Sequence, residues 1–298
     1  MKSDIKQISE VKRDIHIYVD KDSLQEIKTK VLDKINREAN VPGFRKGKAP
    51  LDLIERRFPS LIKEELLKEA VPFYYQKAVE EHKLEVVGLP KIKDAEYSQD
   101  ALRFVAQVEI KPQIKIEAKV YAQMRLKCPP VVVEGKEITQ FISQFKDKVA
   151  EMSGKDKGQL DDRSAGAWAG YSSEEEFKKA VEAEIYINKV IQRRRNLETE
   201  ISQALLSRVK CGLPGVVVEE QKKHLMSQQI MDLRSRGVPE DQIKKHSDEI
   251  SQKVEALAKE QVKLYYILEE IAKKEKLNYA KNNLYEVVIG FIFSQMRT

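Results

Sequence analysis

The feature that most constrains the fold is a segment, residues 172–210, whose pattern predicts one long helix. Ser172 and Ser173 each stand three residues before a glutamate, which is the pattern of a capping box. The sequence Cys211-Gly212-Leu213-Pro214 then places a glycine and a proline where a helix ends. At 1.5 Å per residue such a helix is about 58 Å long. A chain with a helix of this length cannot be a single small globule.

Two further helices are predicted over about residues 217–236 and 240–276. Charged residues make up 34% of the chain, so these helices carry too many charges around their circumference for a thick bundle. An antiparallel pair of arms that leaves one side in water fits this composition better. We therefore expect residues 134–298 to form an elongated all-α domain of long antiparallel helical arms, with a short surface loop at 153–171.

The first third of the chain shows a different pattern. Apolar and polar residues alternate over residues 11–19 and again over 102–110, which is typical of half-buried strands. A further strand is predicted over 84–92, and helical patterns fill the interval after the first strand. The order β-α-α-α-β-β predicts an α+β domain at residues 1–112, a small sheet covered by helices. Residues 113–133 read as an extended linker between the two domains.

Composition narrows the class of protein. The chain has 54 basic and 48 acidic residues, a net charge of +6, which the three parts share about equally. A nucleic-acid contact would therefore need a local basic patch. Two cysteines cannot make a disulfide framework, and the four histidines show no metal-ligand spacing, so we expect neither a metal nor a cofactor. The longest apolar-rich run, residues 284–293, is too short for a bilayer, and the amino terminus has no signal-peptide pattern. We expect a cytoplasmic protein with no membrane partner.

One local patch stands out in the loop after the first predicted helix. Residues 43–57 hold five basic residues against two acidic ones, and a phenylalanine, Phe44, stands among them. In one interpretation the loop is a tight interhelical turn with Phe44 tucked into the domain. In the other it is a docking tip, in which Phe44 enters an apolar pocket and the cations contact phosphates or carboxylates. Composition alone leaves both interpretations open.

The sequence of this loop is familiar. Pro42-Gly43-Phe44-Arg45-Lys46-Gly47-Lys48-x-Pro50 resembles the ribosome-binding signature of trigger factor, a family of bacterial nascent-chain chaperones. The strand–helix–loop–helix–strand order of residues 10–112 resembles the amino-terminal domain of that family. Residues 172–277, with the Gly212-Leu213-Pro214 break, resemble its helical carboxy-terminal domain.

The resemblance implies an ATP-independent chaperone that docks beside the ribosomal exit tunnel, against a ribosomal protein and ribosomal RNA. The family's docking residues carry over to five positions: Gly43, Phe44, Arg45, Lys46 and Lys48. The helical arms would hold nascent or unfolded polypeptides, and the protein would be able to form a homodimer away from the ribosome. The residues expected to be exposed and to contact the client are Ile185, Ile187, Met226, Ile230, Met231, Tyr265 and Tyr266. The alternative for each of these residues is ordinary packing between the arms.

The chain departs from the family pattern in one place. Typical members insert an FKBP-type prolyl isomerase domain between the linker and the helical domain, and here only residues 153–171 occupy that position. An independent domain generally needs about 50 residues or more, so we expect no prolyl isomerase activity and no catalytic residues. Two alternatives remain: an active peptidyl-prolyl isomerase, as the family label states, and a holdase or assembly factor that works without the ribosome.

Overall fold

The computed structural model describes residues 1–98, 101–122, 124, 129–154 and 160–295. The chain packs into two compact units, each built from two separate stretches of sequence. Unit 1 combines Met1–Lys115 with Val209–Glu270, and unit 2 combines Ile116–Arg208 with Ile271–Thr298.

Unit 1 contains a sheet of four antiparallel strands in the spatial order β1-β2-β4-β3. The strands are β1 (Lys2–Gln7), β2 (Lys12–Val19), β3 (Val86–Ser98) and β4 (Ala101–Ile110). The alternation that predicted β2 and β4 also sets their register, since Ile15 faces Ala106 and Ile17 faces Phe104 across the pair. Strand β1 was not predicted, because Ile5 is its one apolar residue and no alternation is visible.

Three helices lie between β2 and β3 in the chain: α1 (Lys21–Glu38), α2 (Leu51–Arg57) and α3 (Pro59–Glu81). The sheet, α1 and α3 enclose the main core of the unit, whose fully buried members include Ile15, Leu24, Leu66 and Leu102. Burial of these side chains is the main favourable term in folding this part of the chain. Together these elements confirm the predicted α+β amino-terminal region.

Three later helices belong mainly to unit 1: α8 (Gly215–Ser235), α9 (Glu240–Lys245) and α10 (Ser247–Lys274). The main-chain N–H groups of Gly212 and Val216, around the start of α8, donate to Glu10 at 2.6 Å and to Glu109 at 2.8 Å. The single helix predicted for residues 240–276 is in fact two, α9 and α10, with a break at His246.

The helix α8 lies beside α10. Lys222 of α8 pairs with Glu255 of α10 at 3.0 Å, and the side chain of Gln221 donates to Gln261 at 2.7 Å. On α8 itself only Val218 is buried among the described residues, so most of this helix faces solvent.

The described part of unit 2 contains helices and the segments that connect them, and no strand. Its helices are α4 (Lys119–Ala122), α5 (Gly135–Ser153), α6 (Asp162–Trp168), α7 (Glu174–Arg208) and α11 (Leu284–Gln295). Phe177 and Val181 of α7 pack with Ile142 of α5 and Ala165 of α6. The chain therefore has a small antiparallel sheet with helices followed by a mostly helical region, as the sequence predicted.

The loop predicted for residues 153–171 is wrong over Asp162–Trp168, which form α6. Asp161 caps this helix, because its side chain accepts a hydrogen bond from the Ser164 N–H at 2.8 Å. Gly166 permits close packing, since a Cβ at this position would lie 3.1 Å from the Cβ of Phe177. Residues 155–159 lie outside the described part of the chain. The domain boundaries at 112 and 133 stay a prediction, because the two compact units divide the chain by packing and each combines two separate stretches of sequence.

Candidate functional site

The loop between α1 and α2, residues 41–50, consists of two successive tight turns. The N–H of Phe44 donates to the carbonyl of Val41 at 3.1 Å, and the N–H of Lys48 donates to that of Arg45 at 3.0 Å. The third residue of each turn is a glycine with positive φ, +87° at Gly43 and +76° at Gly47. The second residue of each turn has negative φ, so both are type II turns, which require glycine at this place. The spacing of the two glycines thus fixes the shape of the loop.

The two ends of the loop are anchored in a small apolar cluster. Val41 and Ala49 are both buried, and the loop-base cluster comprises Val31, Leu32, Ile35, Val41, Ala49, Ile54 and Ile62. The other five residues come from α1, α2 and α3, so three helices hold the two ends of the loop in place. An ion pair also joins α1 to α3, Lys34 with Glu65 at 2.7 Å. The hydrogen bond from Lys34 lowers the pKa of the Glu65 carboxyl below its ordinary value.

Asn36, near the end of α1, links the helix to the loop by two hydrogen bonds. Its main-chain carbonyl accepts from the N–H of Gly47 at 2.9 Å, and its side-chain Nδ2 donates to the carbonyl of Ala49 at 2.8 Å. Sequence reasoning missed this residue. The available signal was a polar residue beside Ile35 on the apolar stripe of the helix.

The tip of the loop is exposed. Phe44 leaves 43% of its surface in solvent, so the interpretation in which it is tucked into the domain does not describe the structure. Arg45, Lys46 and Lys48 are exposed around it. Within the described residues, none of these three cations lies within 4 Å of a carboxylate. The loop therefore presents one aromatic ring and three uncompensated charges.

The short helix α2 continues this basic surface. Arg56 and Arg57 are exposed in its last turn. The acid beside them, Glu55, is paired with Lys28 of α1 at 2.6 Å. Asp52 is the remaining acid of residues 43–57, so the patch keeps a positive charge.

The predicted client-contacting residues of unit 1 differ in their exposure. On α8, Met231 is 68% exposed, while Met226 and Ile230, four residues apart on one helix face, are half-buried. On α10, Tyr265 is half-buried, but Tyr266 is only 6% exposed. The expectation that Tyr266 is exposed is therefore wrong; its ring packs edge-on against Tyr265, with ring centres 5.6 Å apart.

The two predicted residues of unit 2 also differ. Ile187 of α7 is 56% exposed, whereas Ile185 packs against the cluster of Ile142, Ala165, Phe177 and Val181. For Ile185 the alternative interpretation, packing between helices, describes the structure. Tyr186 and Ile191 of α7 are also exposed, although they were not among the residues predicted to contact the client.

The described part of the chain offers little else that could be a reactive centre. It contains no group of three or more His, Cys, Asp or Glu side chains that could hold a metal ion. Among the same residues, no helix combines the length and the apolar character needed to cross a membrane. Cys211 has a free thiol, and burial raises its pKa.

Comparison with known families identifies the chain's relatives. A family model for bacterial trigger factor protein matches residues 1–145, and a model for the carboxy terminus of the same protein matches residues 173–289. The chain belongs to the trigger factor family. The first match contains the 41–50 loop and its supporting helices, and the second contains the whole of α7, α8, α9 and α10.

Individual relatives cover parts of the chain. Trigger factor of Natranaerobius thermophilus is 30% identical over 175 residues, which are 57% of this chain and 39% of that protein. Trigger factor of Bdellovibrio bacteriovorus is 26% identical over 147 residues, 49% of this chain and 33% of that protein. The chain thus spans well under half of the length of these curated relatives.

A solved structure of the trigger factor chaperone, from work on promiscuous substrate recognition in folding and assembly, shares the fold. It covers 98% of this chain and 95% of its own, with a TM-score of 0.58 and 10% sequence identity. At this identity the likeness establishes the architecture. The function of this chain is argued from its own residues below.

Proposed function

We propose that this chain is a cytoplasmic, ATP-independent chaperone that docks on the ribosome through the 41–50 loop and holds unfolded polypeptide segments on its helices. The observation that carries the proposal is the geometry of the loop. Two type II turns, anchored at Val41 and Ala49, hold an exposed Phe44 among uncompensated cations. A rigid tip of this kind loses little conformational entropy on binding, which favours docking to a preformed surface.

The chemistry of the tip defines what it can contact. Phe44 supplies an apolar anchor for a pocket on a ribosomal protein. Arg45, Lys46 and Lys48 supply charge for carboxylates of that protein or for phosphates of ribosomal RNA, and arginine can make two parallel hydrogen bonds to either group. Because part of the affinity would come from charge, binding should weaken as salt concentration rises.

The helices offer dispersed apolar side chains for client segments. Met226, Ile230 and Met231 lie close together on α8, and Ile187 is exposed on α7. Methionine is flexible and polarizable, so it can adapt to clients of different sequence. Several weak contacts of this kind bind a client without fixing its conformation, which suits a client that must leave and fold.

We also propose that the chain has no prolyl isomerase activity. The two family models leave only residues 146–172 between them, and the described part of this interval includes the end of α5 and all of α6. Such a short interval has no room for an independent domain. An assay of cis–trans isomerisation in a proline-containing test peptide decides the point, since turnover well above the uncatalysed rate would contradict this part of the proposal.

Two measurements test docking and holding separately. Titration of fluorescently labelled protein with purified bacterial ribosomes gives the docking affinity and its dependence on salt. Suppression of aggregation of an unfolded client without ATP gives the holding activity. We expect Phe44→Ala/Arg45→Ala/Lys46→Ala to lose the first activity and keep the second. A chain that suppresses aggregation but does not bind ribosomes would instead be a ribosome-independent holdase.

A further inference from the structure

We propose that Asn36 is a positioning residue that sets the conformation of the 41–50 loop for docking; this inference rests on the docking function proposed above. Asn36 does not lie at the exposed tip and is itself 93% buried, with 7% of its surface in solvent. Its effect on a partner would therefore act through the loop.

The two hydrogen bonds of Asn36 hold the second half of the loop, at Gly47 and at Ala49. The main-chain carbonyl of Asn36 accepts from the N–H of Gly47, the third residue of the second turn. The second holds the carbonyl of Ala49, just before α2 begins. Between them they fix the chain on both sides of Lys48, while Val41 is fixed by burial at the other end. The tip residues 42–46 thus project from a base that is defined on both sides.

The second bond requires a side-chain hydrogen-bond donor that reaches the Ala49 carbonyl, and the amide of Asn36 supplies it. A leucine or alanine has no donor for the Ala49 carbonyl, and the carboxylate of an aspartate would place a second acceptor against it. The main-chain bond to Gly47 does not depend on the side chain. A substitution at position 36 therefore removes the hydrogen bond to Ala49 and leaves the main-chain hydrogen bond to Gly47 in place.

The amide oxygen of Asn36, Oδ1, shows that favourable packing alone does not account for an asparagine at this position. Within the described part of the chain, Oδ1 of Asn36 is buried and has no hydrogen-bond partner. A buried acceptor without a partner is unfavourable, and an apolar side chain of similar size would avoid this cost. An amide that is unfavourable for stability but bonds the loop is expected where the residue sets the conformation of the loop.

The test compares Asn36→Ala and Asn36→Leu with a control, Leu24→Ala. Leu24 lies on the same helix as Asn36 but packs in the main core and not in the loop-base cluster, so its truncation should lower stability without touching the loop. We expect Asn36→Leu to leave the thermal midpoint close to that of the wild type, because removing the unpaired Oδ1 offsets the loss of the bond to the Ala49 carbonyl. Ribosome affinity should weaken about three- to tenfold in Asn36→Leu and Asn36→Ala, the range for loss of one hydrogen bond, whereas Leu24→Ala should lower the thermal midpoint with less than a twofold change in affinity.

A second readout does not need the ribosome. Amide hydrogen exchange of the peptide covering residues 43–50 should be faster in Asn36→Leu and unchanged in Leu24→Ala at a temperature where both are folded. Unchanged exchange together with unchanged affinity in Asn36→Leu would overturn the role of Asn36. Failure of the wild-type protein to bind ribosomes would instead overturn the docking function, and the exchange result would still decide the role of Asn36 in the loop.

Discussion

A Cβ added at Gly88 of strand β3 would lie only 2.6 Å from Cγ1 of Val216 in the first turn of α8. The two elements therefore approach as closely as a glycine permits. Gly88 also has φ +74°, a backbone conformation that residues with a side chain rarely adopt. Two independent physical effects thus require glycine at this position.

The first prediction concerns this contact. Gly88→Ala should lower the free energy of unfolding by about 2–3 kcal/mol, because it adds a steric overlap to an unfavourable φ. Gly88→Ala/Val216→Ala should be less destabilised than the sum of the two single variants, because shortening Val216 removes the overlap. Urea unfolding of the four proteins measures this coupling. Strict additivity would show that the contact does not contribute.

The second prediction concerns the tip of the docking loop. Nothing lies within 4 Å of a Cβ added at Gly43, so Gly43→Ala acts only through its φ of +87°. The cost should be about 1 kcal/mol, which weakens ribosome affinity about fivefold if the docked loop keeps this conformation. Titration with ribosomes measures the effect.

Gly154, at the carboxy-terminal end of α5, provides the matched control. It has φ +64° and equally open surroundings, so Gly154→Ala carries the same backbone cost away from the loop. It should lower stability to a similar extent and leave ribosome affinity unchanged. Equal losses of affinity in the two variants would mean that the conformation of Gly43 has no special role in docking.

The sequence predicted the α+β amino-terminal region and the loop because both leave local patterns. Alternation marks β2 and β4, and two glycines four residues apart mark the turns of the loop. It did not predict β1, whose strand is stabilised by pairing with β2 and carries almost no apolar pattern of its own. It did not predict α6, because Ala165, Gly166 and Ala167 look like a loop until Asp161 caps them and Phe177 covers them.

Individual exposures were the least predictable property of the site. Tyr265 and Tyr266 are adjacent and chemically identical, yet only Tyr266 is buried, because a helix points neighbouring side chains in different directions. The role of Asn36 was equally hidden, since its partners lie eleven and thirteen residues away in the chain. Contacts of this kind depend on the packing of the finished fold.

The third prediction concerns pH. The hydrogen bonds from Lys259 and Lys222 lower the pKa of Glu255 from 4.5 to about 2. Because the folded pKa is the lower one, the contribution of Glu255 to stability is complete above about pH 4.5 and is lost as pH falls towards 2. Wild type should therefore be more stable than Glu255→Gln at pH 7, by a small margin because the pair is exposed to solvent, and the margin should shrink below pH 4.5.

Thermal unfolding of the two proteins between pH 7 and pH 3 measures this margin. Glu260→Gln is the control, since Glu260 is an exposed carboxylate of the same helix with no ion pair in the described residues. Raising the salt concentration should also reduce the margin at pH 7. A margin that is unchanged from pH 7 to pH 3 would show that the ion pairs of Glu255 do not stabilise the contact between α8 and α10.

The most direct test of the docking function is cosedimentation with bacterial ribosomes, comparing two variants that remove the same positive charge. Phe44→Ala/Arg45→Ala/Lys46→Ala removes two cations and the aromatic ring from the loop. Arg194→Ala/Arg195→Ala removes two exposed cations from α7. We predict that wild type and the α7 variant pellet with ribosomes at low salt, and that the loop variant remains in the supernatant. Equal pelleting of the loop variant and wild type would contradict the account.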